Sequence, residues 1–315
     1  MHARLLQRIH LGQTIRPTLT HRHVSMHATR IGSEPIIVPH MDDRMGDNIN
    51  GPSAIRVPAW LPEPLGKYYL YFADHDGDYL RLAYADEIAG PWRMHTPGVL
   101  ALNQSGFAGH IASPDVHVDH ERQQIRMYFH GCDAGSTEGG EQFTRVALSS
   151  DGLNFDARAS NLGPPYFRVF EKDSAWFALA MPGRVFRSDD GLSDFVEGPN
   201  ILPTSTRHCA VALAGDTATL IYTSVGDNPE HLEGASADLS GDWQQWQVGP
   251  AHALLTPERD YEGADCESIA SKRGLVTRRE RQLRDPGLLF DDEALYLFYA
   301  VAGERGIALA RLDLD

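Results

Sequence analysis

The sequence predicts an all-β fold: a five-bladed β-propeller with four-stranded antiparallel blades around a central funnel. Three observations predict it. Aromatic-rich runs with period-two alternation recur along the chain, the mark of half-buried strands. Polar turns, several with an Asp-Gly step, separate them, and such turns supply the positive φ that tight hairpins require. Taking Tyr71, Tyr128, Phe177, Tyr222 and Tyr299 as markers, the steps are roughly 57, 49, 45 and 77 residues, near the length of a propeller blade. No segment carries a long helical period.

The first thirty residues hold five Arg, five His and no acid. They have no apolar stretch of the kind a secretory signal needs, so residues 1–30 are expected to be a basic tail, with the propeller spanning 31–315. Unit one then runs Ala54-Ile55-Arg56-Val57, Tyr68 to Ala73, a His-Asp-Gly turn, and Tyr79 to Ala85. The Asp74–Asp78 run resembles the start of a calcium loop but has Ala85 where the closing Glu would stand, so a hairpin turn is the better assignment. Unit two has Asp115 to Val118, Ile125 to His130, Thr144 to Ser149 and a Ser-Asp-Gly turn. Unit three has Phe167 to Phe170, Ala175 to Ala180, Arg184 to Arg187 and a second such turn. Unit four has Ala210 to Leu213, Ala218 to Thr223 and His231 to Ala237. Unit five has Gly287 to Phe290, Leu295 to Ala300 and Gly306 to Leu312. An insertion, 250–282, precedes it, and long insertions in compact domains are usually functional.

The net charge is −15, which disfavours nucleic acid and anionic lipid as partners. No apolar run approaches the ~20 residues of a membrane helix. Cys132, Cys209 and Cys266 are odd in number and widely spaced, which argues against a disulfide framework or a CxxC zinc site. A reducing, cytoplasmic setting is therefore expected.

In a propeller the starts of the innermost strands face one mouth, so polar groups there converge from distant parts of the sequence. Asp115, after Pro114, and Asp285, before Pro286, are placed there. Asp47 and Asn50 belong to unit one, Arg168 to unit three, and Arg207-His208 to unit four. Glu262, Asp265 and Glu267 lie in the insertion, and His110 lies just ahead of Asp115. Carboxyls gathered in one low-dielectric cleft push their pKa values apart. That division of an acid from a base is what cleavage of a glycosidic bond needs.

This unit pattern, together with Ser150-Asp151-Gly152-Leu153-Asn154-Phe155 and Gly90-Pro91-Trp92, resembles the five-bladed propeller glycoside hydrolases. That superfamily includes arabinanases and xylosidases, levansucrases and invertases, mannoside phosphorylases and anhydro-galactosidases. The resemblance covers residues 31–315. It implies a base from blade one, a pKa-setting aspartate from blade two and a general acid further along. Asp115 matches the blade-two aspartate. Blade one has Asn50-Gly51-Pro52 where many relatives have Asp before Pro, which leaves Asp47 as the nearest carboxylate. Glu262 is the first choice for the acid, with His208 as its rival. Asn50, His110, Arg168, Asp265, Glu267, Arg284 and Asp285 are expected to bind substrate.

The expected function is hydrolysis of a glycosidic bond in an oligosaccharide, exo-acting and inverting. The basic 278–284 segment suggests an anionic sugar. No cofactor is required, although a structural cation in the channel is an alternative. Two other functions stay open: a phosphorylase or transglycosylase on the same scaffold, and a sugar-binding propeller without catalysis.

Overall fold

The computed structural model describes residues 25–133 and 141–314. Strand β1 (Met26–Ile31) comes first. Blade one holds β2 (Asn50–Arg56), β3 (Tyr68–Ala73), β4 (Tyr79–Ala85) and β5 (Arg93–Met94), with β6 (Leu100–Ala101) also pairing β4. A single helical turn, α1 (Leu102–Ser105), leads to blade two: β7 (His110–Asp119), β8 (Gln124–Cys132), β9 (Gln142–Ser149) and β10 (Asp156–Ala157). Blade three is β11 (Arg168–Lys172), β12 (Ala175–Ala180), β13 (Arg184–Ser188) and β14 (Val196–Asn200). Blade four is β15 (Thr206–Ala214), β16 (Thr217–Ser224), β17 (Leu232–Asp238) and β18 (Gln247–Val248), with β19 (His252–Leu255) on β17. Blade five is β20 (Arg284–Asp291), β21 (Ala294–Ala300) and β22 (Ile307–Leu314), completed by β1.

All five predicted inner strands are present, and every sheet is antiparallel. The ring closes through β1, which pairs along β22 from Met26↔Leu314 to Ile31↔Leu309. The propeller therefore includes Met26–Ile31, of which 26–30 lie inside the stretch predicted as tail. Closing a ring of blades requires a strand from the far end of the chain, and β1 is short and only partly buried, so its alternation is weak. Residues 1–24 lie outside the described residues.

Neighbouring blades are tied by repeated contacts. The Ser-Asp-Gly turns fold on themselves: Ser149 Oγ and Asp151 Oδ1 accept backbone N–H groups within 151–154, and Ser188 and Asp190 do the same within 190–193. Each turn then offers its glycine carbonyl to the preceding blade. Tyr71 Oη donates to Gly152 O at 3.0 Å, and Tyr128 Oη to Gly191 O at 2.7 Å. Between these ties lie aliphatic and aromatic clusters, such as Tyr69, Leu82, Ile125 and Met127 between blades one and two. Such close-packed apolar interfaces hold the blades at fixed angles, and hence the mouth residues at fixed distances.

Candidate functional site

Each inner strand starts at the same mouth, because its first residue pairs with the end of the returning second strand: Asn50↔Ala73, His110↔Cys132, Arg168↔Leu179, Thr206↔Ser224 and Arg284↔Ala300. The turns after those second strands therefore open onto that mouth as well. A cleft of about 1380 Å³ lies there, and His75, Asp76, His110, Tyr166, Arg207 and Arg273 supply much of its polar wall.

Four inner strands bulge just below the mouth, with register shifts at Asn50/Ser53, Ala112/Asp115, Thr206/Cys209 and Arg284/Gly287. The bulge aligns the blades. Gly51, Ser113, Arg207 and Asp285 are equivalent, and so are Ser53, Asp115, Cys209 and Gly287. Gly51, Ser113 and Asp285 all take left-handed backbone, with φ of 61°, 46° and 46°, each immediately before a proline. Asp285 is thus an aspartate-before-proline at the mouth, whereas Asp115 sits below its bulge. Pairing Asp115 with Asp285 from sequence missed this offset of two residues. A carboxylate at the equivalent place in blade one would force the backbone to shift, since a Cβ on Gly51 would lie 2.8 Å from Ser113 Cα.

Beneath the cleft runs a ladder of alternating charges. Arg207 Nε lies 3.0 Å from Glu230 Oε1, and Arg284 Nε 3.4 Å from Glu230 Oε2. Arg284 Nη1 donates to Glu304 Oε1 at 3.1 Å, and its Nε donates to Gln282 Oε1 at 2.9 Å. Glu304 is also bound by Asn48 Nδ2 at 2.8 Å and lies 3.2 Å from His75 Nδ1. Arg207, Glu230, Arg284 and Glu304 are all buried. Burial would raise the Glu304 pKa, but the bond and charge of His75, with Arg284 and Asn48, outweigh it and hold the carboxyl at about 2. Reciprocally, burial pulls the His75 imidazole down, while Glu304, joined by the Asp76 and Asp285 charges, more than restores it, so its pKa is raised. His75 is half-buried on the cleft wall.

On the other side His208 Nδ1 stands 2.9 Å from Asp285 Oδ1, both buried. Burial lowers the His208 pKa despite that carboxylate. Tyr166 is packed between imidazoles, with its ring centroid 4.6 Å from that of His208 and 4.2 Å from that of His130. Its backbone is left-handed, φ 65°, an uncommon conformation for an aromatic residue and one that clusters at functional sites. Burial, then the Asp285 and Glu304 charges, push the phenol pKa up, so it stays a hydrogen-bond donor. His110 lies 3.1 Å from Cys132 Sγ through its Nδ1. Among the described residues no carboxylate binds it, and burial lowers its pKa.

The structure thus brings Asn50, His110, His208, Arg284 and Asp285 to this mouth. Asn50 Nδ2 donates to Asn48 Oδ1 at 3.3 Å. It puts other predicted residues elsewhere. Asp47 is exposed and pairs with Arg305. Glu262 is fully buried beside the closing strand, where it binds Arg30 at 2.7 and 3.0 Å and accepts from Tyr299 Oη, Glu258 N and Arg259 N. With every carboxylate oxygen so occupied, it anchors β1, and it does not line the cleft. Asp115 accepts from Val169 N at 2.7 Å and lies 2.8 Å from His117 Nε2. Arg168 is buried below the mouth, donating to the Cys209, Ser113, Pro114 and Phe167 carbonyls. Asp265 is exposed and bound by Arg279, and Glu267 is exposed. Among the described residues no group of three or more His, Cys, Asp or Glu side chains could hold a metal ion.

Glu304, Glu230, His75, Asn48 and Tyr166 were missed. His75 lies within a run read only as turn chemistry. The available signal was topological: in a propeller the turn after each second strand returns to the mouth where the first strand began.

No family model matches the chain. A curated protein, the uncharacterized protein R118 of Acanthamoeba polyphaga mimivirus, is 34% identical over 299 aligned residues, covering 84% of this chain and 83% of that protein. The chain belongs to the family of that viral protein. Solved structures extend the fold beyond this family. A member of the GH130 family of mannoside phosphorylases, described with glycoside hydrolases that target β-1,2 mannosidic linkages in Candida mannan, superposes with a TM-score of 0.62 at 12% identity. It covers 95% of this chain and 96% of its own. CoXyl43, a GH43 β-xylosidase/α-arabinofuranosidase from a compost microbial metagenome solved with xylotriose, gives 0.60 at 14% identity, covering 91% and 94%. The GH43_1 enzyme from Xanthomonas citri gives 0.59 at 12%, covering 89% and 91%. The viral protein's family thus has the five-bladed fold of these glycoside-active propellers.

Proposed function

We propose that the mouth cleft cleaves a glycosidic bond in an oligosaccharide, with His75 as proton donor and His110 as the base that activates water. The observation that carries this reading is a pair of imidazoles on one cleft wall in opposed environments. His75 is held by the buried Glu304 carboxylate, and among the described residues His110 has no carboxylate within hydrogen-bond reach. Groups whose surroundings push their pKa values apart are suited to acid and base roles. Asp76 lines the same cleft and its charge acts on both imidazoles, so it can stabilise positive charge developing at the sugar's anomeric carbon. Tyr166 and Arg207 supply donors for sugar hydroxyls. The charge ladder is buried beneath the cleft, which supports entry of a chain end from above and hence exo action. Separate acid and base residues suit inversion.

A second reading rests on Arg273. This exposed cleft-lining guanidinium has no carboxylate in ion-pair reach among the described residues, and its Nη1 meets only Met181 Sδ at 3.6 Å. It could hold phosphate, which would make the reaction a phosphorolysis, or the acidic group of an anionic sugar.

The test is product release from neutral and acidic oligosaccharides, with and without phosphate, for wild type, His75→Asn and His110→Asn. Release without phosphate that both substitutions abolish supports hydrolysis. A phosphate requirement favours the second reading. Saturable binding with no turnover on any substrate overturns both and leaves a sugar-binding propeller.

A further inference from the structure

The opposite end of the channel holds a second cavity of about 690 Å³, formed where the inner strands leave the ring. This is within the roughly 300–1,000 Å³ of small-molecule sites. Its walls are mainly aliphatic, with Val116, Val169, Val211, Leu213 and Leu288 among them, and Phe290 and Leu314 stand exposed at its rim (69% and 40%). The buried polar groups of its floor include Asp115 and Arg168, with His117 and Ser53 beside them, while Arg56, paired with Asp291 and Asp292, and the exposed Glu171 also line it.

Two features of that floor are unfilled. Arg168 is 4% exposed, yet its buried Nη2 has no hydrogen-bond partner. Asp115 Oδ2 is occupied by His117 and Val169 N, while no described residue donates to Oδ1. A buried guanidinium nitrogen without an acceptor is costly, so the floor offers one donor and one acceptor. The opposite charges of Arg168 and Asp115 balance. A charged ligand group would meet a like charge, whereas a hydroxyl or carboxamide can use both.

We propose that this lower funnel is a second binding site, for an uncharged, largely apolar small molecule that carries a hydroxyl or carboxamide. The polar group sits on Asp115 and Arg168, and the apolar body fills the aliphatic walls. The site is separate from the mouth cleft and does not depend on the reaction assigned there.

The test is titration calorimetry and ligand-observed NMR with 2-phenylethanol, 3-phenylpropionamide, 3-phenylpropionate and phenethylammonium. Wild type is compared with Ala212→Trp, which fills the funnel from a partly exposed wall position, and with Asp115→Asn, its fold checked by circular dichroism. The expected result is that the two neutral probes bind at least tenfold more tightly than either ion. Ala212→Trp should weaken them at least tenfold, and Asp115→Asn should erase the preference over the anion. Failure of all four probes to bind overturns the proposal, as does equal binding of the ions or binding that survives Ala212→Trp.

Discussion

Glu304→Gln tests the charge ladder directly. The substitution keeps side-chain shape and removes one negative charge from a group that is 1% exposed. In the folded protein the Glu304 carboxyl sits at about 2, against 4.5 ordinarily. Each pKa unit is worth about 1.4 kcal/mol, so the ionised form contributes about 3 kcal/mol. Removing one partner of a buried pair costs a similar ~3–5 kcal/mol. The sign follows from a depressed carboxyl. Its contribution is present above the unfolded value of 4.5 and is lost as pH falls from there towards 2. Urea unfolding at pH 7 should show the variant destabilised by about 3 kcal/mol, with the difference shrinking at pH 3. His75, deprived of its carboxylate, should titrate lower by NMR. A loss under about 1 kcal/mol at pH 7, with His75 titrating unchanged, would refute the ladder.

Four other outcomes follow from named contacts. If His75 donates the proton, the alkaline limb of the pH–rate profile reports its raised pKa, and that limb should move to lower pH in Glu304→Gln; a limb that stays put removes His75 from the role. Glu262→Gln should lower stability by about 3 kcal/mol by leaving Arg30 half-paired at the closing strand, with turnover per folded molecule unchanged. Asp115→Asn should cost about 1–3 kcal/mol through its bonds to His117 and Val169, yet leave KM and kcat at the mouth within about twofold, since it changes no group at the cleft. Gly51→Asp, which restores the aspartate-before-proline pattern in blade one, should cost at least the ~1–3 kcal/mol of a strained left-handed residue. A melting temperature at or above wild type would show that blades one and two have room to separate there.

The sequence by itself determined the repeat. Period-two alternation and Asp-Gly turns are local signals, because side-chain direction in a strand and positive φ in a turn depend on near neighbours alone. The five inner strands, the blade count and the aromatic markers follow from them. Asp285 and His208 were legible as mouth residues because each lies at a strand start. Only the tertiary structure decided the rest. Met26–Ile31 became part of the propeller because ring closure supplies its partner 278 or more residues away. Asp115 fell below the mouth because the bulge at Ser113-Pro114 shifts its register. Glu262 became an anchor for β1 because Arg30 reaches it from the other end of the chain. Glu304 and His75 became a site because two hairpin turns, 229 residues apart, return to one mouth. A bulge, a ring closure and a convergence of turns are properties of how the blades are assembled in space, and no window of sequence contains both partners.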